Sequence, residues 1–191
     1  GVSKLDVELD GSLFIMPANT YPIELGEGHT KNLTGSQAFG RNALLVNTGN
    51  YNIGIGFNAM VANTSGNLNV AVGGYALDGN VTGTHNTAVG TYSLHAAASF
   101  ASNVAIGYNA MGASTSSNNV AIGNYALDDS NSVGTNVAIG YNCATALTTG
   151  SVNTYVGPNC AQATTSASHN VMLGYTAGLA NTTGGYNVII G

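Results

Sequence analysis

One motif, Asn103-Val-Ala-Ile-Gly-Tyr-Asn-Ala-Met111, returns from one end of the chain to the other, and it restricts the fold more than any other feature. Its glycine falls at Gly40, Gly56, Gly73, Gly90, Gly107, Gly123, Gly140, Gly157, Gly174 and Gly191, so the unit is 16 or 17 residues. Four residues earlier stand Asn52, Asn69, Asn86, Asn103, Asn119, Asn136, Asn153, Asn170 and Asn187, with Ser36 in the first copy. Four residues after the glycine the chain reads Leu44, Met60, Leu77, Leu94, Met111 and Leu127, then shrinks to Ala144, Ala161 and Gly178. Such a unit is too short for two packed helices and their turn. It fits one coil of a solenoid, in which each repeat contacts only its neighbours.

The local chemistry points to strands. Val-Ala-Ile between Asn and Gly is a short β-branched run with turn residues at both ends. Asn63-Thr-Ser-Gly66 and Asn181-Thr-Thr-Gly184 are loop sequences, because Asn and Gly suit tight backbone turns. A glycine inside every unit and no apolar face at helical spacing exclude a helical repeat. The expected fold is all-β, a parallel β-solenoid or β-roll of about ten 17-residue coils over residues 32–191.

Residues 1–31 lie outside the period. Leu5, Val7 and Leu9 alternate with Asp6, Glu8 and Asp10 there, as in a half-buried strand. Seven of the eleven charged residues fall in this stretch, which is expected to be an N-terminal β lead-in that caps the stack. The last unit stops after Asn187-Val-Ile-Ile-Gly191, so the natural chain is expected to continue.

Composition excludes several functions. Charged residues make up only 6% of the chain and the net charge is −5, so nucleic acid is not expected as a partner. No apolar run is long enough to cross a bilayer, and no membrane insertion is expected. At 44% hydrophobic, the sequence is not that of a disordered chain.

The strand is apolar on both faces. The residues three and one before the glycine share one face, as Val104 and Ile106 do. The residue between them faces the other way, and that column reads Ala38, Gly54, Ala71, Ala88, Ala105, Ala121 and Ala138, then Tyr155, Met172 and Ile189. A strand apolar on both sides is covered on both sides. The expectation assigns one cover to the coil interior and the other to a second subunit. Ala71, Ala88, Ala105, Ala121, Ala138, Tyr155, Met172 and Ile189 are the candidate subunit contacts. The swelling at Tyr155 reads as a widening gap between subunits.

Asn86-Thr-Ala-Val-Gly90, Asn103-Val-Ala-Ile-Gly-Tyr-Asn-Ala-Met111 and Asn119-Val-Ala-Ile-Gly123 resemble the repeat arrays of bacteriophage tail fibres. Ser3-Lys-Leu-Asp-Val7 looks like the short segment that often precedes such arrays. The resemblance implies a homotrimer in the virion, supporting or mediating attachment to a host surface through a glycan or protein. It also implies a following chaperone domain of the endosialidase type, which this sequence does not contain. A more distant likeness is to the heads of trimeric autotransporter adhesins, and the alternative reading is such a head on a bacterial surface. No enzymatic activity, cofactor or metal is expected.

The polar and reactive residues have structural readings. The stacked asparagines are expected to form an amide ladder. Cys143 and Cys160 stand one unit apart and are expected as free buried thiols. Phe57, Tyr108, Tyr141 and Tyr175, with Tyr75, Tyr92 and Tyr125 one column on, read either as a ridge for sugars or as a ladder packed on itself. His85 and His169 share a column five coils apart and read as solvated loop residues. Asp78, Asp128 and Asp129 do not converge as an acid–base pair would. A solenoid binding ice or glycan would need a regular threonine ladder on one flat face, and the threonines fall mostly in variable loops. Asn32, Asn63, Asn80 and Asn181 match the glycosylation sequon by composition alone.

Overall fold

The computed structural model describes residues 35–96, 98–113, 115–129 and 134–191. The capping lead-in expected over 1–31 lies outside them. Ten three-residue strands follow one another along the chain: β1 (Gln37–Phe39), β2 (Ile53–Ile55), β3 (Val70–Val72), β4 (Thr87–Val89), β5 (Val104–Ile106), β6 (Val120–Ile122), β7 (Val137–Ile139), β8 (Thr154–Val156), β9 (Val171–Leu173) and β10 (Val188–Ile190). They form one parallel sheet in sequence order, and no helix occurs among the described residues. Each strand pairs with the equivalent residues one coil on, as Val104 with Val120 and Ala105 with Ala121. Nine steps of about 4.8 Å make a stack on the order of 43 Å long.

The bonding between coils does not stop at the strands. Tyr75 N–H donates back to Phe57 O (2.8 Å), while Leu77 N–H and Gly79 N–H donate forward to Ser93 O (3.0 Å) and His95 O (3.1 Å). Backbone groups in the turns are therefore paired as those in the sheet are, which a narrow coil with a buried interior requires.

Two turns fold each coil back on itself. Ala76 N–H closes on Gly73 O and Asn80 N–H closes on Leu77 O. Tyr75 and Leu77 both sit in the left-handed region, at φ 58° and 53°, and the same two columns are left-handed in the other coils. This breaks the alternation of faces, so that consecutive residues Ala76 and Leu77 both point inward and are fully buried. A left-handed non-glycine residue costs about 1–2 kcal/mol. Burying a leucine or methionine side chain returns about 1.5–3 kcal/mol, enough to hold the strain in place.

The interior corrects the sequence expectation. Ala71, Ala88, Ala105, Ala121 and Ala138 are fully buried inside their own chain, as are Tyr155 and Met172, and Ile189 is half-buried against the same core. The seven fully buried residues have no surface left for a second subunit. The small residues point in and the bulky ones point out. The narrow cross-section explains this. A leucine or methionine from the opposite wall fills the coil, leaving room for only an alanine on the strand. At Gly54 an added Cβ would lie 3.0 Å from Leu44 Cγ.

The swelling at Tyr155 has the same cause. Where the strand column grows to Tyr155 and Met172, the opposite column falls to Ala144, Ala161 and Gly178. A Cβ at Gly178 would overlap the Met172 sulfur. Core volume is conserved coil by coil, as close packing demands.

Candidate functional site

Two features run the length of the stack: a polar spine inside and an apolar face outside. The spine is the asparagine column, from Asn52 to Asn187. In a typical rung, Asn86 donates its backbone N–H (3.0 Å) and its Nδ2 (3.1 Å) to Asn69 Oδ1, and Nδ2 also donates to Phe100 O (2.7 Å). Asn69, Asn103, Asn119, Asn136, Asn153, Asn170 and Asn187 each donate to the preceding asparagine in the same way. Ser36 ends the ladder in the first coil, its Oγ accepting from Asn52 N–H at 3.0 Å.

A second, shorter ladder escaped the sequence reading. Asn80 Nδ2 donates to Asn63 Oδ1 at 2.7 Å, and Asn63 Nδ2 donates to Asn47 Oδ1. It leaves Asn80 Oδ1 buried at its end without a partner among the described residues. The residue one coil on in that column is Ala97, which lies outside the described residues. The recurrence of Asn seven residues after the glycine in coils one to three was the available signal. Asn63 and Asn80 are fully buried, so these two sequons are closed to glycosylation, while Asn181 is half-exposed.

Truncating one spine asparagine strands polar groups in the next rung. Asn103→Ala leaves the Asn119 N–H without its acceptor and Ser116 O without the Asn103 Nδ2 donor, while Asn119 Nδ2 keeps Ser116 Oγ and Ser117 O. Each unsatisfied buried group costs about 1–3 kcal/mol, so a loss of about 3 kcal/mol is expected in urea unfolding. The exposed substitution Thr91→Ala provides the comparison, and an equal effect at both positions would remove the spine from the account.

The outward face of the sheet carries the bulky columns. Ile55 (41% exposed), Ile106 (38%) and Val171 (37%) project into solvent, and Val70, Val72, Val104, Val120 and Ile122 are half-exposed. No charged side chain occurs in either column. Along one edge runs an aromatic ladder. Phe57 meets Tyr75 edge-on at 5.3 Å, Tyr75 stacks on Tyr92 at 5.0 Å, and Tyr108 meets both Tyr92 (6.2 Å) and Tyr125 (5.4 Å) edge-on. The ring faces in the stacked pair are spent on each other, while Tyr108, Tyr141 and Tyr175 remain exposed.

The reactive groups are dispersed. Cys143 and Cys160 are free and buried, their thiols directed at Tyr155 O (3.5 Å) and Met172 O (3.3 Å). The adjoining Cys160 thiol and burial together push Cys143 above the usual thiol range. Burial also raises the Tyr155 phenol. Among the described residues no group of three histidine, cysteine or carboxylate side chains gathers to hold a metal. His169 stacks on Tyr186 at 4.7 Å, and His85 is exposed. Asp78 and Asp128 lie apart, each with its own partner: His95 Nδ1 for Asp78 (2.5 Å) and Asn109 Nδ2 for Asp128 (2.6 Å).

Both of these carboxyls are held above their ordinary value of 3.8, chiefly by burial, which outweighs the pull of His95 on Asp78 and of Asn109 on Asp128. A carboxyl whose pKa is raised by folding adds stability that is complete below pH 3.8 and lost as pH rises through the folded value. The folded chain should therefore gain stability from these two groups on acidification from pH 6 to pH 3.5. Melting temperatures of the native chain and of the D78N/D128N variant, measured across that range, test the sign. A native gain no larger than the variant's would contradict it.

The chain matches no family model, no curated protein and no solved structure. No helix among the described residues is long and apolar enough to cross a membrane. What the molecule offers for recognition is extended and repetitive: a rigid rod with an uncharged apolar face.

Proposed function

We infer that this chain is a structural domain of a fibre, the shaft or a shaft-like section of a phage tail fibre, and that it works as a homotrimer. Its task is mechanical. It carries an attachment site away from the particle, or itself meets a glycan or protein on the host surface, and it breaks no bonds. What supports this is the unbroken in-register stack, in which every coil is bonded to the next through strand, turn and asparagine spine. A rod built this way bends little, because stretching it would break a whole ring of hydrogen bonds at once. The sequence likeness to tail-fibre repeats supplies the virion and the number three.

Antibodies raised against this chain should label the fibres of intact phage particles in immunogold microscopy and should block adsorption to host cells. Label on the surface of uninfected bacteria, with none on particles, would overturn the reading in favour of a cell-surface adhesin.

A further inference from the structure

We propose that the exposed ridge Tyr108, Asn124, Tyr141, Pro158 and Tyr175, one residue past the repeat glycine in five successive coils, is a docking track for a proline-rich peptide in the polyproline II conformation. This rests on the reading of the rod as one that itself meets a protein, and it names the kind of segment met.

The ridge differs from the aromatic ladder it continues. In the earlier coils the rings pack on each other, as Tyr75 and Tyr92 do at 5.0 Å. Tyr108 still rests edge-on against Tyr125 and is 43% exposed. Beyond Tyr125 the packing ends. Tyr141 (53% exposed) and Tyr175 (69% exposed) have no ring partner among the described residues. The three tyrosines stand at every second coil, with the smaller exposed Asn124 and Pro158 between them. Large and small side chains therefore alternate, and two slots result.

The ridge is rigid. Tyr108 O, Tyr141 O and Pro158 O accept from the backbone N–H of Tyr125 (3.0 Å), Asn159 (2.8 Å) and Thr176 (3.0 Å) in the following coils. The slots are thus set before a ligand arrives, which lowers the cost of binding.

The second slot holds unused donors. In the first, Asn124 Oδ1 accepts from Tyr108 N–H at 3.0 Å. In the second, Pro158 stands where Asn124 would and has no such oxygen. The Tyr141 N–H is left without a partner among the described residues. The half-exposed side-chain amide of the adjoining Asn159 has none there either.

The occupant follows from the spacing. Two coils span about 9.6 Å. A polyproline II helix has three residues per turn and repeats every 9.3 Å or so, which brings its residues i and i+3 to successive slots. An extended strand repeats a face about every 6.8 Å and an α-helix turns about every 5.4 Å, so neither keeps step. The polyproline II backbone makes no internal hydrogen bonds, which leaves its carbonyls open to the Tyr141 N–H and the Asn159 amide. Its apolar rings suit exposed tyrosine faces, the way proline-rich segments dock on aromatic surfaces generally. No charged residue follows Asp129, so nothing at the Tyr141–Tyr175 end selects an acidic or basic ligand.

The chain has ten tyrosines and no tryptophan, so tyrosine emission reports docking directly. Titration of the protein with a nonaproline peptide should change that emission saturably, and a glycine-serine peptide of equal length should not. Tyr175→Ala should weaken binding by about tenfold with an unchanged circular dichroism spectrum. Tyr51→Ala, which removes an equally exposed tyrosine (57%) from another column, should leave binding as it is. Pro158→Asn copies Asn124, caps the Tyr141 N–H, and should also weaken binding while every tyrosine stays in place. No saturable change at millimolar nonaproline overturns the proposal. A saturable change with a neutral β-linked glucan oligosaccharide and none with nonaproline overturns it in favour of a saccharide. Nonaproline binding that survives both Tyr175→Ala and Pro158→Asn overturns the placement on this ridge. Each of these failures leaves the fibre reading standing, because that reading is decided by the label on particles.

Discussion

Gly107→Ala is expected to destabilise the protein by about 4 kcal/mol, whereas Gly74→Ala is expected to cost less than about 0.5 kcal/mol. Gly107 is the repeat glycine two coils beyond Gly74, which stands one column later, so the two differ in backbone conformation and in surroundings. Gly107 has φ 136°, a region that residues with a side chain rarely adopt. A Cβ there would stand 2.6 Å from the carbonyl carbon of Gly123 in the next coil. Backbone strain and overlap contribute about 1–3 kcal/mol each, and the overlap has no flexible partner to give way. At Gly74 a Cβ would meet only Phe57 O, at 3.9 Å. Urea midpoints of the two variants make the comparison. Equal midpoints would mean that the glycine column is not the point of closest approach between coils.

Tyr155→Ala is expected to cost about 3–5 kcal/mol, because it empties the largest fully buried side chain from a core with no spare volume. The more telling result is the second variant. Adding Ala144→Leu to Tyr155→Ala restores the arrangement of the earlier coils, small on the strand and large opposite, as in Ala138 and Leu127. That double variant should recover at least half of the loss, while Ala144→Leu alone overpacks the core and destabilises by about 1–3 kcal/mol. The predicted coupling is therefore large and of opposite sign to additivity. Additive effects would show that Tyr155 and Ala144 do not share one space.

That exchange was already visible in the sequence as two columns changing size in successive units, one down at Ala144 and the other up at Tyr155. Read as a single observation it places both columns inside one core. Read separately, it made the Tyr155 end look like a gap between subunits. The asparagine column was legible as a ladder because a buried amide must find partners, and a repeat supplies the same partner in every coil. The shorter Asn47–Asn63–Asn80 ladder was not, since it spans three coils and lies where loop chemistry already accounts for Asn.

The period, the strand positions and the parallel one-coil pairing belong to the sequence by itself. A 16- or 17-residue repeat with a glycine and an asparagine at fixed places leaves no other way to satisfy identical backbones than to stack them. Which face of each strand points inward was decided only in three dimensions. Parity tells that Val104 and Ile106 share a side and that Ala105 takes the other, but it is silent on which side is the core. That choice depends on what the rest of the coil brings to the centre. Left-handed residues such as Leu77 and Met111 turn a large side chain inward from the opposite wall. With the centre filled from there, the strand has room only for alanine, and its bulky apolar residues are left on the outside.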